Sequence, residues 1–399
     1  MLFPEFDTGV PDLETVLVVT VIDLHSQIAI MKLTISSALF ASSLLIFASC
    51  KKDKDDSIAP YTVPDTYTFD NVDYQEASAA VKMVINVNGY IGTTQSNTNQ
   101  VKLDQTKINN LWNNTNNAFD TVSLNSTGIS LAAKTADPTV FKGFLDALTT
   151  LSNQPLTAAS NGTAGYINRN AGKIMVSAKG LEYVQGFQKG TMGATLFKEA
   201  IQLLDKVPTS DNNTVTPGKG TAMAHNFDLA FGYLAVPLNY DTTTAFSNAN
   251  KAAMPLWGGY LYERGRYIQA GYNIFKAFRT GRAAIVAKDY NVVKEQVNII
   301  KLYWEKLAAA AAWEYSVLPQ SQGGNLASQL HSLSEGSGFV AALKYRSANS
   351  PLTAAKYTEL IGLFSQDANF HDLITDANFT KLKAAKEILK AAYGNLQAQ

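Results

Sequence analysis

The sequence predicts an all-α protein made of two helical bundles. After residue 61, apolar residues recur three or four positions apart, which is the spacing of one helix face. Almost no segment alternates with period two, and glycines, prolines or Asn/Thr clusters separate the periodic segments. We expect two pseudo-equivalent halves, 61–240 and 250–399, joined by a short link.

The first half is predicted to contain five helices, at 74–87, 105–112, 139–151, 180–207 and 221–234. Gly89 ends the first, and Pro237 stops the last because proline has no N–H to continue a helix. The stretch 152–173, which includes Gly162 and Gly165, is predicted to be a loop.

The second half is predicted to be helical at 260–287, 292–315, 326–345, 351–364 and 379–396. The segment 292–315 is the clearest of these, since it includes the alanine run 308–312 and alanine is the best helix former.

The chain's only cysteine, Cys50, closes an export signal. Residues 31–50 have a basic start, an apolar run and small residues before the cysteine, which is typical of a lipoprotein signal peptide. Residues 1–30 carry five acidic residues and no Lys or Arg. We therefore expect translation to start at Met31, with 1–30 not translated or disordered. Cys50 is then the lipidated first residue of the mature protein.

A polar, mixed-charge stretch at 51–60 follows and is predicted to be a solvated tether. These features predict a protein anchored to the outer membrane by lipid, on either its periplasmic or its external face.

Residues 1–50 hold five acidic residues and one basic residue, which leaves 32 basic and 28 acidic residues in the mature chain. This mild excess does not indicate nucleic-acid binding, and one cysteine excludes an intrachain disulfide.

Two short segments look like an internal repeat. His225 and His331 each lie seven residues before a glycine that is followed by an aromatic and an aliphatic residue. Residues three or four apart share a helix face, so Asp228 lies beside His225 and Glu335 beside His331. Paired in one cleft between the halves, the four side chains would form a mixed nitrogen and oxygen site suited to a divalent metal such as iron or zinc. The alternative is that each histidine is buried and oriented by its acid.

Other chemistry is sparse. No GxSxG or HExxH motif occurs, so we do not expect a serine hydrolase or a typical zinc protease. Arg264, Arg266, Arg279 and Arg282 are either a basic stripe for an anion or a solvated face. The aromatic residues of 257–278 either stack on a sugar or porphyrin ring or belong to the core.

Several stretches resemble one uncharacterised family of bacterial lipoproteins, domain of unknown function 4856. They are an entry motif at 61–69, a central motif at 177–190, the signature His-x-x-Asp-x-Ala-aromatic-Gly-Tyr at 225–233, and two further motifs at 281–286 and 331–339. The family has no established activity. In context it is similar to imelysin-like proteins, two-bundle lipoproteins linked to iron uptake, although their Gly-x-His-x-x-Glu motif is absent here. Met223 replaces its glycine, and Asp228 its glutamate.

We therefore expect a non-enzymatic envelope lipoprotein that binds iron, haem or another metal for uptake. One alternative is a glycan- or peptide-binding surface lipoprotein that uses the aromatic helix 257–278. A second alternative is a metal-dependent hydrolase.

Overall fold

A computed structural model describes residues 58–96, 100–243 and 247–397. The predicted signal peptide, Cys50 and most of the tether lie outside these residues. The α-helices are α1 (Gln75–Gly92), α2 (Gln105–Asn113), α3 (Val122–Asn125), α4 (Leu131–Lys134), α5 (Pro138–Asn153), α6 (Tyr183–Thr191), α7 (Lys198–Lys206), α8 (Ala222–Leu234), α9 (Asn248–Ala253), α10 (Trp257–Glu263), α11 (Ala270–Ala287), α12 (Tyr290–Ser321), α13 (Leu326–Ala342), α14 (Ala354–Leu363), α15 (Phe370–Thr375) and α16 (Thr380–Tyr393).

The all-α prediction is confirmed, with one small departure. Strands β1 (Gly165–Arg169) and β2 (Gly172–Val176) form an antiparallel hairpin within the predicted loop 152–173 and just beyond it. The apolar residues of β2 are consecutive rather than alternating, so the sequence shows no period of two there. Asn170 lies in the turn with a φ of 53°, a left-handed conformation that asparagine adopts readily.

The centre of the fold is α12, which packs against α11, α13 and α16. Its alanine run is fully buried, and these small side chains let the neighbouring helices approach closely. From the predicted first half, α6 packs on α13, and α8 packs on α11, α1 and α7. The described residues therefore belong to one compact unit in which the two predicted halves share a core.

The contact between α6 and α13 depends on glycine. A Cβ added at Gly338 would lie 2.5 Å from the Cβ of Lys189 and 3.0 Å from the backbone N of Gly190. A π-helical turn (Met192–Phe197) continues α6, and there a Cβ on Gly193 would lie 2.5 Å from that of Ala342. Because glycine has no Cβ, the backbones of α6 and α13 can come into contact. This contact places polar residues of α6 beside polar residues of α13.

The predicted helix 260–287 is broken in the structure. Gln269 has a φ of 54° and separates α11 from a short 3₁₀ turn after α10. The rings of Trp257, Tyr260, Phe275 and Phe278 are almost fully buried. These rings therefore belong to the core. They are not available to stack on a sugar or porphyrin ring, which was one of the two predicted roles.

The four arginines do not form one stripe either. Arg264 pairs with Glu263 and Glu314 at 3.2 Å each, while the Nη1 of Arg279 donates to the Pro64 carbonyl at 2.7 Å. Arg282 is buried, so neither the anion stripe nor the solvated face describes this set.

Within the described ranges, no helix combines the length and apolarity needed to cross a bilayer.

Candidate functional site

A buried ionic cluster joins α8, α11 and the segment that precedes α1. Asp228 on α8 is fully buried, and its Oδ1 accepts hydrogen bonds from the hydroxyl of Tyr67 (2.6 Å) and the Nε of Arg282 (2.9 Å). Arg282 Nη2 also donates to the Asp70 carbonyl at 3.1 Å, and its guanidinium lies over the ring of Phe69. We call Tyr67, Asp228 and Arg282 the Asp228 cluster.

Burial dominates the electrostatics of the Asp228 cluster. It raises the pKa of Asp228 to about 6, although Arg282 and the Tyr67 hydroxyl both lower that pKa. Burial and the nearby carboxylate also raise the pKa of Tyr67 well above its ordinary value. The cluster therefore fixes the segment preceding α1 to the core, at the cost of holding a desolvated carboxyl group.

Two surface clefts flank the segment that the cluster fixes. The first cleft has a volume of about 990 Å³ and lies between residues 67–74, one face of α1, α3 and the loop 217–219. The second cleft, of about 540 Å³, lies between residues 68–71, the loop 212–221 and the C-terminal end of α11. Thr68 and Phe69 line both clefts and so form the ridge between them.

A second buried polar cluster lies at the contact between α6 and α13. His331 Nδ1 is 2.7 Å from Glu182 Oε2, and Lys189 Nζ is 3.2 Å from Glu335 Oε1. Burial alone would raise the pKa of Glu335, but Lys189, His331 and the hydroxyl of Tyr315 together hold it below its usual range. We call Glu182, Lys189, His331 and Glu335 the His331 cluster.

The structure does not bring the four predicted metal ligands together. Asp228 belongs to one cluster, and His331 and Glu335 belong to the other. The Nδ1 of His225 is buried, and no residue in the described ranges offers it a hydrogen-bond partner. Across the described ranges, no three His, Cys, Asp or Glu side chains are arranged to hold a metal ion. This arrangement does not support the predicted iron or zinc site.

The partners that sequence reasoning missed lie in motifs it had singled out. Tyr67 belongs to the entry motif 61–69, Arg282 to the motif 281–286, and Glu182 and Lys189 to the central motif 177–190. Each motif supplies the counterpart of a predicted His or acid on another helix. The signal was therefore present, but spacing along one helix does not reveal a partner more than fifty residues away.

The described residues thus form one predominantly helical domain in which the Asp228 and His331 clusters fix contacts between segments far apart in sequence. The chain belongs to the family described as Domain of unknown function (DUF4856), whose family model matches residues 64–394. No curated protein and no solved structure matches the chain.

Proposed function

We propose that this protein is a non-enzymatic, lipid-anchored envelope protein that binds a neutral oligosaccharide in the first cleft. The observation that carries the proposal is the chemistry of that cleft, and the export signal ending at Cys50 supports its location. The proposal keeps the glycan-binding alternative but moves it away from the aromatic helix 257–278, whose rings are mostly buried.

The cleft offers aromatic rings together with many hydrogen-bonding groups. Phe69 and Tyr74 are half-buried, so part of each ring is accessible. Hydroxyl groups come from Ser78, Ser123 and Thr127. A sugar ring has an apolar face, which can pack on an aromatic ring. Its hydroxyl groups can exchange hydrogen bonds with serine and threonine side chains.

The charges that line the cleft favour a neutral ligand. Asp73 and Glu76 contribute two carboxylates, and Lys82 and Lys219 contribute two amines. A strongly charged ligand would therefore meet as many like charges as opposite ones. The volume of about 990 Å³ is at the upper end of the range for small-molecule pockets, which suits a ligand longer than one sugar.

The same residues favour binding without hydrolysis. Asp73 Oδ1 accepts a hydrogen bond from the backbone N of Gln75 at 3.0 Å, and Glu76 forms an ion pair with Lys134. Glycosidases need two carboxyl groups directed at the scissile bond, whereas both carboxylates here have partners within the protein. A peptide that binds as an added β-strand is less favoured, because the cleft is walled by helices and loops and its lining offers no strand edge to pair with.

Isothermal titration calorimetry with a panel of neutral oligosaccharides (cello-, malto-, xylo-, manno- and chito-oligosaccharides) tests the proposal. Ser123 is exposed and lines the cleft, so Ser123→Trp should block it without disturbing the core. Ser126→Trp is the matched control, since Ser126 is exposed nearby but does not line the cleft. The proposal fails if no oligosaccharide binds or if both variants bind like the wild type.

A further inference from the structure

An exposed apolar surface lies at the corner between α11 and α12. Val286 and Val215 are 67% and 59% exposed, and both line the second cleft. Tyr290, at the start of α12, is 40% exposed. Lys288 lies between Val286 and Tyr290 in sequence, and its Nζ donates to Asn213 Oδ1 at 2.8 Å. We call Val215, Val286, Lys288 and Tyr290 the corner surface.

The N-terminal segment is attached to the core beside this surface. The hydroxyl of Tyr61 donates to Asp289 Oδ2 at 3.2 Å, and Asp289 also caps α12 by accepting from the backbone N of Val292. Asp289 lies between Lys288 and Tyr290 in sequence. The chain that leads back to Cys50 therefore leaves the folded domain at the corner surface.

The length of that chain limits how the domain can stand on a membrane. Ten residues (51–60) separate Cys50 from Tyr61, and a fully extended chain spans at most about 40 Å between the two. A compact domain of this size has a radius of gyration of about 20 Å, and so a diameter of roughly 50 Å. Because the tether is shorter than this diameter, a lipid on Cys50 excludes the orientation in which Tyr61 lies on the side of the domain farthest from the bilayer.

We infer that the corner surface rests on the phospholipid bilayer to which Cys50 is anchored. This inference rests on the lipid anchor of the proposed function, but not on the oligosaccharide. Two valines would enter the boundary between headgroups and acyl chains, and a tyrosine places its ring and hydroxyl there readily. Lys288 would lie at the level of anionic headgroups such as phosphatidylglycerol.

The absence of any cysteine other than Cys50 from the chain gives a direct test. The full mature lipoprotein is reconstituted in vesicles of phosphatidylethanolamine and phosphatidylglycerol. Val286→Cys or Val215→Cys supplies one free thiol, which is labelled with a nitrobenzoxadiazole fluorophore. Val140→Cys is the matched control, because Val140 is 48% exposed on α5, which packs on α2 and α6 rather than on α11 or α12.

Labels at 286 and 215 should emit at shorter wavelength and lose most of their emission when doxyl-labelled phospholipid is included, whereas the label at 140 should do neither. Labels at 286 and 215 that behave like the one at 140, on protein that floats with the vesicles, overturn the inference. A shift to shorter wavelength without quenching also overturns it, because protein rather than lipid then surrounds the label.

The wild-type chain separates failure of the anchor from failure of the orientation. If Cys50 is acylated, wild-type protein floats with the vesicles and takes up no label. If wild-type protein takes up label and does not float, the lipid anchor is absent. The inference that the corner surface rests on the bilayer then fails as well. The oligosaccharide titration is independent of both results.

Discussion

Replacing Asp228 by asparagine should remove a pH dependence that the buried carboxyl group imposes on stability. Asparagine keeps an oxygen that accepts from both Tyr67 and Arg282, but it does not ionise. The pKa of Asp228 is about 6 in the folded chain against 3.8 for an ordinary aspartate. The folded state therefore binds this proton more tightly than the unfolded state, by about 3 kcal/mol.

The direction of the pH dependence follows from the raised pKa of Asp228. Below the pKa of Asp228 in the unfolded chain, both states are protonated, and the protonated carboxyl group contributes its full stabilisation to the folded state. As the pH rises towards 6, the unfolded chain releases its proton first, so the free energy of unfolding falls. Between about pH 4 and about pH 7, the wild type should lose about 2–3 kcal/mol relative to Asp228→Asn.

Urea denaturation of both proteins across this pH range measures the effect as the difference between their free energies of unfolding. Taking a difference cancels the titration of all groups that the two proteins share. Asp120→Asn is the control, because the side chain of Asp120 is 92% exposed and that variant should run parallel to the wild type. A constant difference between wild type and Asp228→Asn would refute the reasoning. A wild type that gains stability relative to Asp228→Asn as the pH rises would mean that Arg282 outweighs burial.

Three further predictions concern the helix contact, the His331 cluster and the anchor. Gly338→Ala should lower the free energy of unfolding by about 1–3 kcal/mol through overpacking. Gly323→Ala should change it little, because Gly323 has open space around it. Equal effects of the two variants in urea denaturation would contradict this prediction. Lys189→Met should lower the free energy of unfolding by about 3–5 kcal/mol by removing the ammonium partner of the buried Glu335 carboxylate. The exposed Lys390→Met should not lower it, and a neutral result for Lys189→Met in urea denaturation would show that the ion pair is dispensable. Cys50→Ser should release the protein from the membrane fraction, and palmitate labelling equal to that of the wild type would disprove the anchor.

Helix positions were largely predictable, because a helix that buries one face repeats apolar residues locally along the chain. The break at Gln269 was not, since a single left-handed residue leaves the apolar spacing of 260–287 almost unchanged. The hairpin was also missed, because three consecutive apolar residues in β2 do not distinguish a strand from a buried loop.

For the polar residues, sequence reasoning correctly placed each histidine and acid one turn apart on α8 and α13. It paired them with each other because local spacing was the available signal. In the structure, His331 does lie beside Glu335, with its Nε2 3.9 Å from Oε1, but its shorter contact is to Glu182. Asp228 takes its partners from Tyr67 and Arg282. Those contacts depend on how helices pack, which one sequence does not reveal.

The long reach of these clusters has a consequence for how the chain folds. Tyr67 and Asp228 are 161 residues apart, and Glu182 and His331 are 149 apart. Closing such large loops costs entropy before any contact repays it, so folding should be slow compared with that of a simple helical bundle. A fragment that ends before α13 would lack the counterpart of Lys189 and half of the glycine contact. Such a fragment should remain sensitive to proteases, and ordered structure should emerge only when most of the chain is present.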